Sequence, residues 1–278
     1  MIAAAMTAGT HLRSIPDKAL NGAARVWLAA ALIGQWVFLY YILAFYGGST
    51  LTGNFQAWTR NHALLKGYIP GDTAGNLAFG AHALLAGYIA FGGAIQLVPW
   101  IRAHAPAFHR WNGRVFLATA MALSVTGLYM VWVLGARLGL VGAVGISGNA
   151  ALIVVFAALA WILASRRDFA AHRRWALRTY MVANGQWFFR VGLFAWIIVN
   201  GGPVGIGKNF DGPFVIAWEF GCYLLPLAVL ELYLRAKDKA GPGGRLAMAG
   251  ALALLTVLTV VGIAGVYMFM WRPVLARI

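Results

Sequence analysis

Two short segments of this sequence each place a histidine and an arginine ahead of a tryptophan, followed by another arginine. The candidate cofactor residues in them are His109, Arg110, Arg114, His172, Arg173 and Arg178. Imidazoles ligate the iron of b-type haems, and guanidinium groups bind carboxylates such as haem propionates through paired hydrogen bonds. The pattern predicts a haem b site with the two histidines as metal ligands. The alternatives are an anionic lipid headgroup or a quinone as the ligand, or plain anchoring of helix ends at a membrane surface.

A second set of polar residues interrupts the most apolar parts of the chain. It consists of His82, Arg190 and Glu219, with Gln186 four residues before the arginine. Ionisable residues inside apolar segments are rare and usually mark function. Three interpretations are open: an Arg190–Glu219 ion pair that fixes packing, a proton-exchanging site for a small anionic substrate, or ligation of a metal or haem by His82 and Met130.

The composition indicates the kind of structural element that must position these residues. The 278 residues are 62% hydrophobic and 10% charged, with a mean hydropathy of +0.75, whereas a soluble domain has about 25% charged residues. About 20 apolar residues span a bilayer as a helix, and seven segments of this kind occur. They are residues 24–46, 76–98, 114–134, 146–164, 176–199, 214–234 and 246–270. The sequence therefore predicts an all-α, polytopic membrane protein, with a tail over residues 1–23 and one seven-helix domain over 24–278.

The distribution of Lys and Arg predicts the orientation of these helices. The tail and the second, fourth and sixth loops hold 15 of these residues, and the opposite side holds 6. Cytoplasmic loops carry the excess of basic residues, so we expect a cytoplasmic N-terminus, an outside C-terminus and a multi-pass location in a bacterial inner membrane. The net charge of +15 then follows from topology. Membrane lipids are expected as partners, and nucleic acid is not.

Helical geometry predicts how the polar residues are arranged. At 1.5 Å per residue, His82, Arg190 and Glu219 lie roughly 8–13 Å below the outer ends of their helices, in one layer. Helices five and six are joined by a short loop, which predicts the Arg190–Glu219 ion pair. Glu231 and Arg235 have the i, i+4 spacing of a second pair. His109 and His172 both precede the predicted helix starts.

Two smaller patterns complete the arrangement. Thr179, Ala183, Gln186 and Arg190 recur at spacings of four, three and four, which predicts one inward face of the fifth helix. In the long outer loop, helical spacing predicts a short surface helix through Phe55, Trp58, His62 and Leu65.

The two histidine segments also suggest an internal repeat. Each lies at the predicted cytoplasmic turn of a helical hairpin, so helices two and three have the same orientation as helices four and five. Parallel repeats of this type place binding sites at the repeat interface. The sequence thus predicts a parallel helical-hairpin repeat that brings His109 and His172 together.

A family resemblance is carried by the same residues. The matching positions are His82, Gln96-Leu-Val-Pro99, Arg102, His109-Arg110, Gly113-Arg114, His172-Arg-Arg-Trp175 and Arg178. They resemble the bacterial membrane-protein family called domain of unknown function 2306, over about residues 77–180. The resemblance implies an integral membrane protein whose His and Arg positions are of functional interest, and it implies no particular reaction.

Three functions are therefore expected from the sequence. The first is a redox protein that holds one b-type haem near the cytoplasmic face. The second is a small-molecule or proton-coupled transporter with an outward-facing site at His82, Arg190 and Glu219. The third is an accessory subunit of a membrane complex.

Overall fold

The fold is a bundle of long helices with no strand in the described part of the chain, which covers residues 14–60, 67–136 and 138–278 of a computed structural model. The α-helices are α1 Ile15–Tyr41, α2 Gly48–Leu51, α3 Thr73–Gln96, α4 Pro99–His104, α5 Pro106–Trp132, α6 Gly139–Ser165, α7 Phe169–Ala183, α8 Gly185–Val199, α9 Pro213–Lys239, α10 Pro242–Val266 and α11 Arg272–Leu275. Ile42–Gly47 and Tyr267–Trp271 are π-helical, and Phe55–Arg60 is a 3₁₀ helix.

Six helices in the described residues are long and apolar enough to span a membrane by themselves, and the pair α7 and α8 makes a seventh span if it is counted as one broken helix. This agrees with the seven predicted segments. The first span begins at Ile15 instead of residue 24, because Ser14 caps it and Asp17 lies in its first turn, where a carboxylate is stabilising. Residues 1–13 of the predicted tail lie outside the described residues.

Acidic residues define several helix starts. Asp72 accepts a hydrogen bond from the Gly75 amide at 2.8 Å, and Asp168 accepts one from the Ala171 amide at 3.0 Å. Each carboxylate thereby satisfies one of the unpaired amides at a helix N-terminus. Few of the seven acidic residues therefore remain for ion pairs or for a functional site.

The fifth predicted helix is in fact two helices. α7 ends at Ala183, α8 begins at Gly185, and their axes differ by 55°. Asn184 lies between them and its side-chain amide donates to the Tyr180 carbonyl at 2.8 Å, so a polar side chain competes with the helix ladder at the bend. The single inward face predicted from Thr179 to Arg190 is therefore wrong, because Thr179 is fully buried while Gln186 is exposed.

The order of packing follows the chain around the bundle. α1 packs against α3 and α10, α3 against α5, α5 against α6, and α6 against α7. α10 also packs against α8, while α9 lies against α6, α7 and α8.

Residues of the predicted surface helix are partly described: Phe55–Arg60 forms the 3₁₀ helix and its Trp58 is buried, whereas His62 and Leu65 lie outside the described residues.

Close packing between α8 and α10 depends on a glycine. A Cβ added at Gly262 of α10 would overlap the backbone oxygen of Val191 in α8, whereas a Cβ added at Gly250 of the same helix meets nothing within 4 Å. Backbone cannot move aside as a flexible side chain can, so the two positions respond differently to the same substitution.

We therefore predict that Gly262→Ala lowers the free energy of unfolding by about 1–3 kcal/mol, the usual cost of overpacking. Gly250→Ala is the matched control and is expected to be neutral or to stabilise by about 0.5–1 kcal/mol, because alanine favours the helix. Thermal unfolding of the two variants in detergent measures the difference. Equal effects at the two positions would contradict the packing described here.

Candidate functional site

The polar residues form two clusters, one near each end of the bundle. The inner cluster contains His109 and His172, at the end that the sequence predicts to be cytoplasmic. The outer cluster contains His82 and Arg190. Both histidines of the inner cluster lie within helices: His109 in the first turn of α5, and His172 in the first turn of α7. The expectation that they precede their helices is wrong, because α5 and α7 begin earlier than the apolar residues alone indicate.

The two inner histidines are close enough to interact electrostatically. Nδ1 of His172 is 2.8 Å from the carbonyl oxygen of Ala160 in α6. A carbonyl only accepts, so Nδ1 is the donor, and in the neutral ring Nε2 is the nitrogen with the lone pair. Nδ1 of His109 is buried and has no hydrogen-bond partner in the described part of the chain. The two imidazoles thus lie within electrostatic range of each other, and Nδ1 of His109 is a buried nitrogen without a partner in the described part of the chain.

The arginines predicted to surround the histidines separate into two groups. Arg178 is bound to Glu231 of α9, with Nε–Oε1 and Nη2–Oε2 distances of 2.6 and 3.0 Å, and its guanidinium also lies 4.6 Å from the Trp175 ring centre. Arg178 therefore joins α7 to α9. The predicted Glu231–Arg235 pair is wrong, since the bidentate geometry of a guanidinium from the neighbouring helix takes the carboxylate.

The remaining predicted arginines are directed toward solvent or the membrane surface. Arg110, Arg114 and Arg173 are exposed, and the Arg114 guanidinium lies 4.9 Å from the Trp111 ring centre. No carboxylate is paired with any of them among the described residues. They stay available to an anionic group at this surface.

In the outer cluster, the predicted Arg190–Glu219 ion pair is absent from the described ion pairs. Glu219 is 5% exposed and faces α6, where a Cβ on Gly142 would lie 3.2 Å from its Oε1. Arg190 turns instead toward α1, with its guanidinium 5.9 Å from the Phe38 ring centre. The bend at Asn184 changes the direction of α8. Arg190 therefore does not form the pair with Glu219 of α9 that one continuous helix would predict.

His82 in α3 faces α5. Its Nδ1 is 3.0 Å from the hydroxyl oxygen of Thr126, and that hydroxyl lies 3.1 Å from the Ala122 carbonyl, to which it donates. The Thr126 oxygen therefore accepts from Nδ1–H, which leaves Nε2 as the unprotonated nitrogen. Arg190 is close enough to act on this ring electrostatically. His82 and Arg190 are brought together, and Glu219 and the exposed Gln186 are not part of that contact.

Several residues of the outer cluster are not among the sequence candidates. Tyr41 and Tyr46, from the first span, lie within electrostatic range of the Arg190 guanidinium. Trp271 stacks on Phe38 at 5.2 Å and on Tyr41 at 5.8 Å, and its buried Nε1 has no partner in the described part of the chain. Aromatic residues are common in membrane helices, so their type alone gives no sequence signal. What distinguishes these three is that they lie near Arg190.

A buried polar contact between the clusters was also not predicted. Tyr180 of α7 donates from its hydroxyl to Oε1 of Gln35 in α1 at 3.0 Å, and both side chains are fully or nearly fully buried. A glutamine in the middle of an apolar run is the sequence signal that marks this contact.

Within the described residues, no group of three or more His, Cys, Asp or Glu side chains is arranged to hold a metal ion, so a metal at either cluster would need ligands from outside the protein or from a cofactor.

The fold and its two polar clusters define an all-helical, multi-pass membrane protein. The chain belongs to the family of predicted membrane proteins DUF2306, whose family model matches residues 79–234. The match extends beyond the resembling positions to α9, so Arg190, Glu219 and Glu231 lie within it. No curated protein and no solved structure matches the chain.

The Arg178–Glu231 contact gives a stability prediction. Because the pair is only partly exposed, we expect Arg178→Gln or Glu231→Gln to lower the free energy of unfolding by about 1–3 kcal/mol, between the values for exposed and fully buried pairs. The double variant should cost little more than either single one, since the second change removes a partner already lost.

Arg235→Gln is the control, because Arg235 has the predicted local spacing to Glu231 but is not bound to it. It should change stability by less than about 0.5 kcal/mol. Thermal unfolding in detergent tests all four proteins. A large effect of Arg235→Gln with none of Arg178→Gln would show that the local pair forms instead.

Proposed function

We propose that this protein binds a small anion inside its helical bundle, at Arg190, as a step in moving that anion across the membrane. The observation that carries the proposal is the lack of a partner for the guanidinium. Within the described residues, Arg190 makes no ion pair, and its one hydrogen bond runs from Nη1 to the carbonyl of Gln186 in its own helix, at 2.6 Å.

The position of Arg190 supports an internal site. Its guanidinium lies over Phe38 of α1 and within electrostatic range of groups on α3 and α9, namely His82 and Cys222. A group with neighbours on three other helices is inside the bundle, yet Arg190 keeps part of its surface accessible. An arginine at the centre of a membrane helix costs about 2.5–3.5 kcal/mol on insertion scales. A bound anion would offset that cost, and no carboxylate of the described chain does so.

His82 gives the site a means of coupling to protons. Its Nε2 is an acceptor while Nδ1–H is bound to Thr126, so a proton taken up at Nε2 would make it a second donor for an anion held by Arg190. Uptake of an anion together with a proton is the chemistry of proton-coupled transport. Glu219 lies apart from Arg190 and is assigned no contact with the anion.

The test is anion-dependent thermal stability of the purified protein. A ligand that binds only the folded state stabilises it by about 2.7 kcal/mol at 100 times its Kd, so acetate, benzoate, phosphate and sulfate are compared at equal ionic strength. We expect at least one of them to raise the Tm of the wild-type protein, and Arg190→Gln to abolish that increase. Arg272→Gln, which removes an exposed arginine at the same end of the bundle, should leave it intact.

Stability without the anion separates binding from a structural role. Because the charge of Arg190 has no ion-pair partner in the described part of the chain, Arg190→Gln should be as stable as the wild-type protein, or more stable, in anion-poor buffer. An Arg190→Gln protein that keeps the full anion-dependent increase, or a wild-type protein that responds to none of the four anions, would refute the proposal.

A second candidate function is binding of haem b at the inner cluster, and the His172 geometry favours it. Metal-ligating histidines commonly donate their other ring nitrogen to a carbonyl, as His172 does to Ala160. The buried, unpartnered Nδ1 of His109 also suits an additional ligand. In this candidate, His109 and His172 would hold the iron, and Arg110 and Arg173 would bind the propionates. Bound haem would supply one-electron transfer.

The haem candidate predicts a Soret absorbance in protein purified after expression with added haem precursor. His109→Ala and His172→Ala should each remove most of it, since each takes away one ligand. His104→Ala is the control, because His104 lies at the same end of the bundle but is exposed and stacks on Trp100. Wild-type protein that shows no Soret absorbance rejects haem without affecting the proposal for Arg190.

A further inference from the structure

A groove lies between α9 and α10 at the end of the bundle predicted to be cytoplasmic. Its volume is about 490 Å³. The residues that line it are Leu232, Arg235, Ala236, Lys239, Ala240, Gly244, Ala247, Met248 and Ala251. Most are small and apolar, and two are basic. The groove is separate from both polar clusters.

The two basic residues stand on one side of the groove and share a helix face. Arg235 and Lys239 are four residues apart in α9, which places them one turn from each other. Both are exposed, and neither is in an ion pair among the described residues.

Three carboxylates at this end of the bundle are already bound to other arginines. Glu231 is bound to Arg178, Asp238 to Arg174, and Asp17, across the α1–α10 contact, to Arg245 at 2.5 Å. Among the described residues, the two cations on the groove therefore have no carboxylate as an ion-pair partner, although Glu231 is only four residues from Arg235. The ion pairs of α9 with α7 occupy the two carboxylates of α9 that lie within one turn of Arg235 and Lys239.

The apolar part of the groove continues from these cations toward the membrane interior. Ala236 and Met248 are buried beside Leu20 and Leu252 and form its floor, while Leu232, Ala247 and Ala251 are its walls. A cationic rim beside a shallow, open apolar groove along two helices matches the two ends of one molecule, an anionic headgroup and an acyl chain. Basic pockets between helices at the cytoplasmic surface bind lipids of this kind.

We propose that this groove is a binding site for an anionic phospholipid. The lipid phosphate lies between Arg235 and Lys239, and one acyl chain lies along Leu232, Ala247 and Ala251. The assignment depends on the charge of the rim and the apolar walls together, and it is independent of the function proposed for Arg190.

The experiment is native mass spectrometry of the full chain, released from detergent after incubation with phosphatidylglycerol, cardiolipin or phosphatidylcholine. We expect the wild-type protein to retain the first two and to retain phosphatidylcholine much more weakly. The double variant Arg235→Gln/Lys239→Gln should bind the anionic lipids roughly 30-fold more weakly, because each basic residue near an anionic lipid contributes about 1 kcal/mol.

The charge-matched control is Arg25→Gln/Arg166→Gln, which removes two exposed arginines from the same predicted face of the membrane. It should retain anionic lipid as the wild-type protein does. A further variant, Ala247→Leu, keeps every charge but narrows the groove, and it should reduce retention of all lipids bearing a full acyl chain.

Each result decides the proposal. Equal loss of lipid in the two double variants would show general attraction to a basic surface and would overturn the site, as would unchanged retention in Arg235→Gln/Lys239→Gln. Equal retention of phosphatidylcholine and phosphatidylglycerol by the wild-type protein would also overturn it. If Arg235→Gln/Lys239→Gln unfolds, Ala247→Leu and the wild-type lipid preference still decide between the outcomes.

Discussion

The constraint on which this structure depends is the scarcity of negative charge in a chain that must cross hydrocarbon. Lys and Arg together number 22, and Asp and Glu number 7. Asp72 and Asp168 cap helices, and Asp17, Glu231 and Asp238 bind arginines. Most basic residues lie at the ends of helices, where water and lipid headgroups surround them. Arg190 instead lies within α8 and is paired with no carboxylate among the described residues, and this contrast distinguishes it.

Hydropathy predicted the number of spans because burying a long apolar segment in a bilayer is a property of the segment itself. It placed the helix ends poorly, because α1, α5 and α9 continue through polar residues that hydropathy does not count. Hydropathy also did not predict the bend at Asn184, because its cause is a side-chain hydrogen bond to Tyr180 within an otherwise apolar run. The orientation of the spans and the hairpin repeat stay predictions.

Partners were harder to predict than positions. Glu231 was assigned to Arg235 by local spacing, but Arg178 of another helix binds it with two hydrogen bonds, and local spacing contains no information about that helix. The Arg190–Glu219 pair failed for a related reason: equal depth in the membrane says nothing about the direction in which each side chain points. His82 with Arg190 and His109 with His172 do lie within electrostatic range of each other, because charge in an apolar segment and a repeated motif both restrict where such residues can lie. That either group forms a site stays a prediction.

The bend between α7 and α8 connects these observations. α7 carries His172 and Arg178 at its inner end and contacts α9 through the ion pair with Glu231, while α8 carries Arg190 and packs against α10 through Gly262. Were the two helices one straight rod, the face bearing Thr179 would also present Arg190, and Thr179 is packed where no solvent reaches. The 55° change in direction lets the inner half be fixed by a protein carboxylate and leaves the outer half with an unneutralised cation. A permanent ion pair at Arg190 would contribute to stability at all times. Under the proposed function, a guanidinium that has no ion pair among the described residues keeps that interaction for a bound anion.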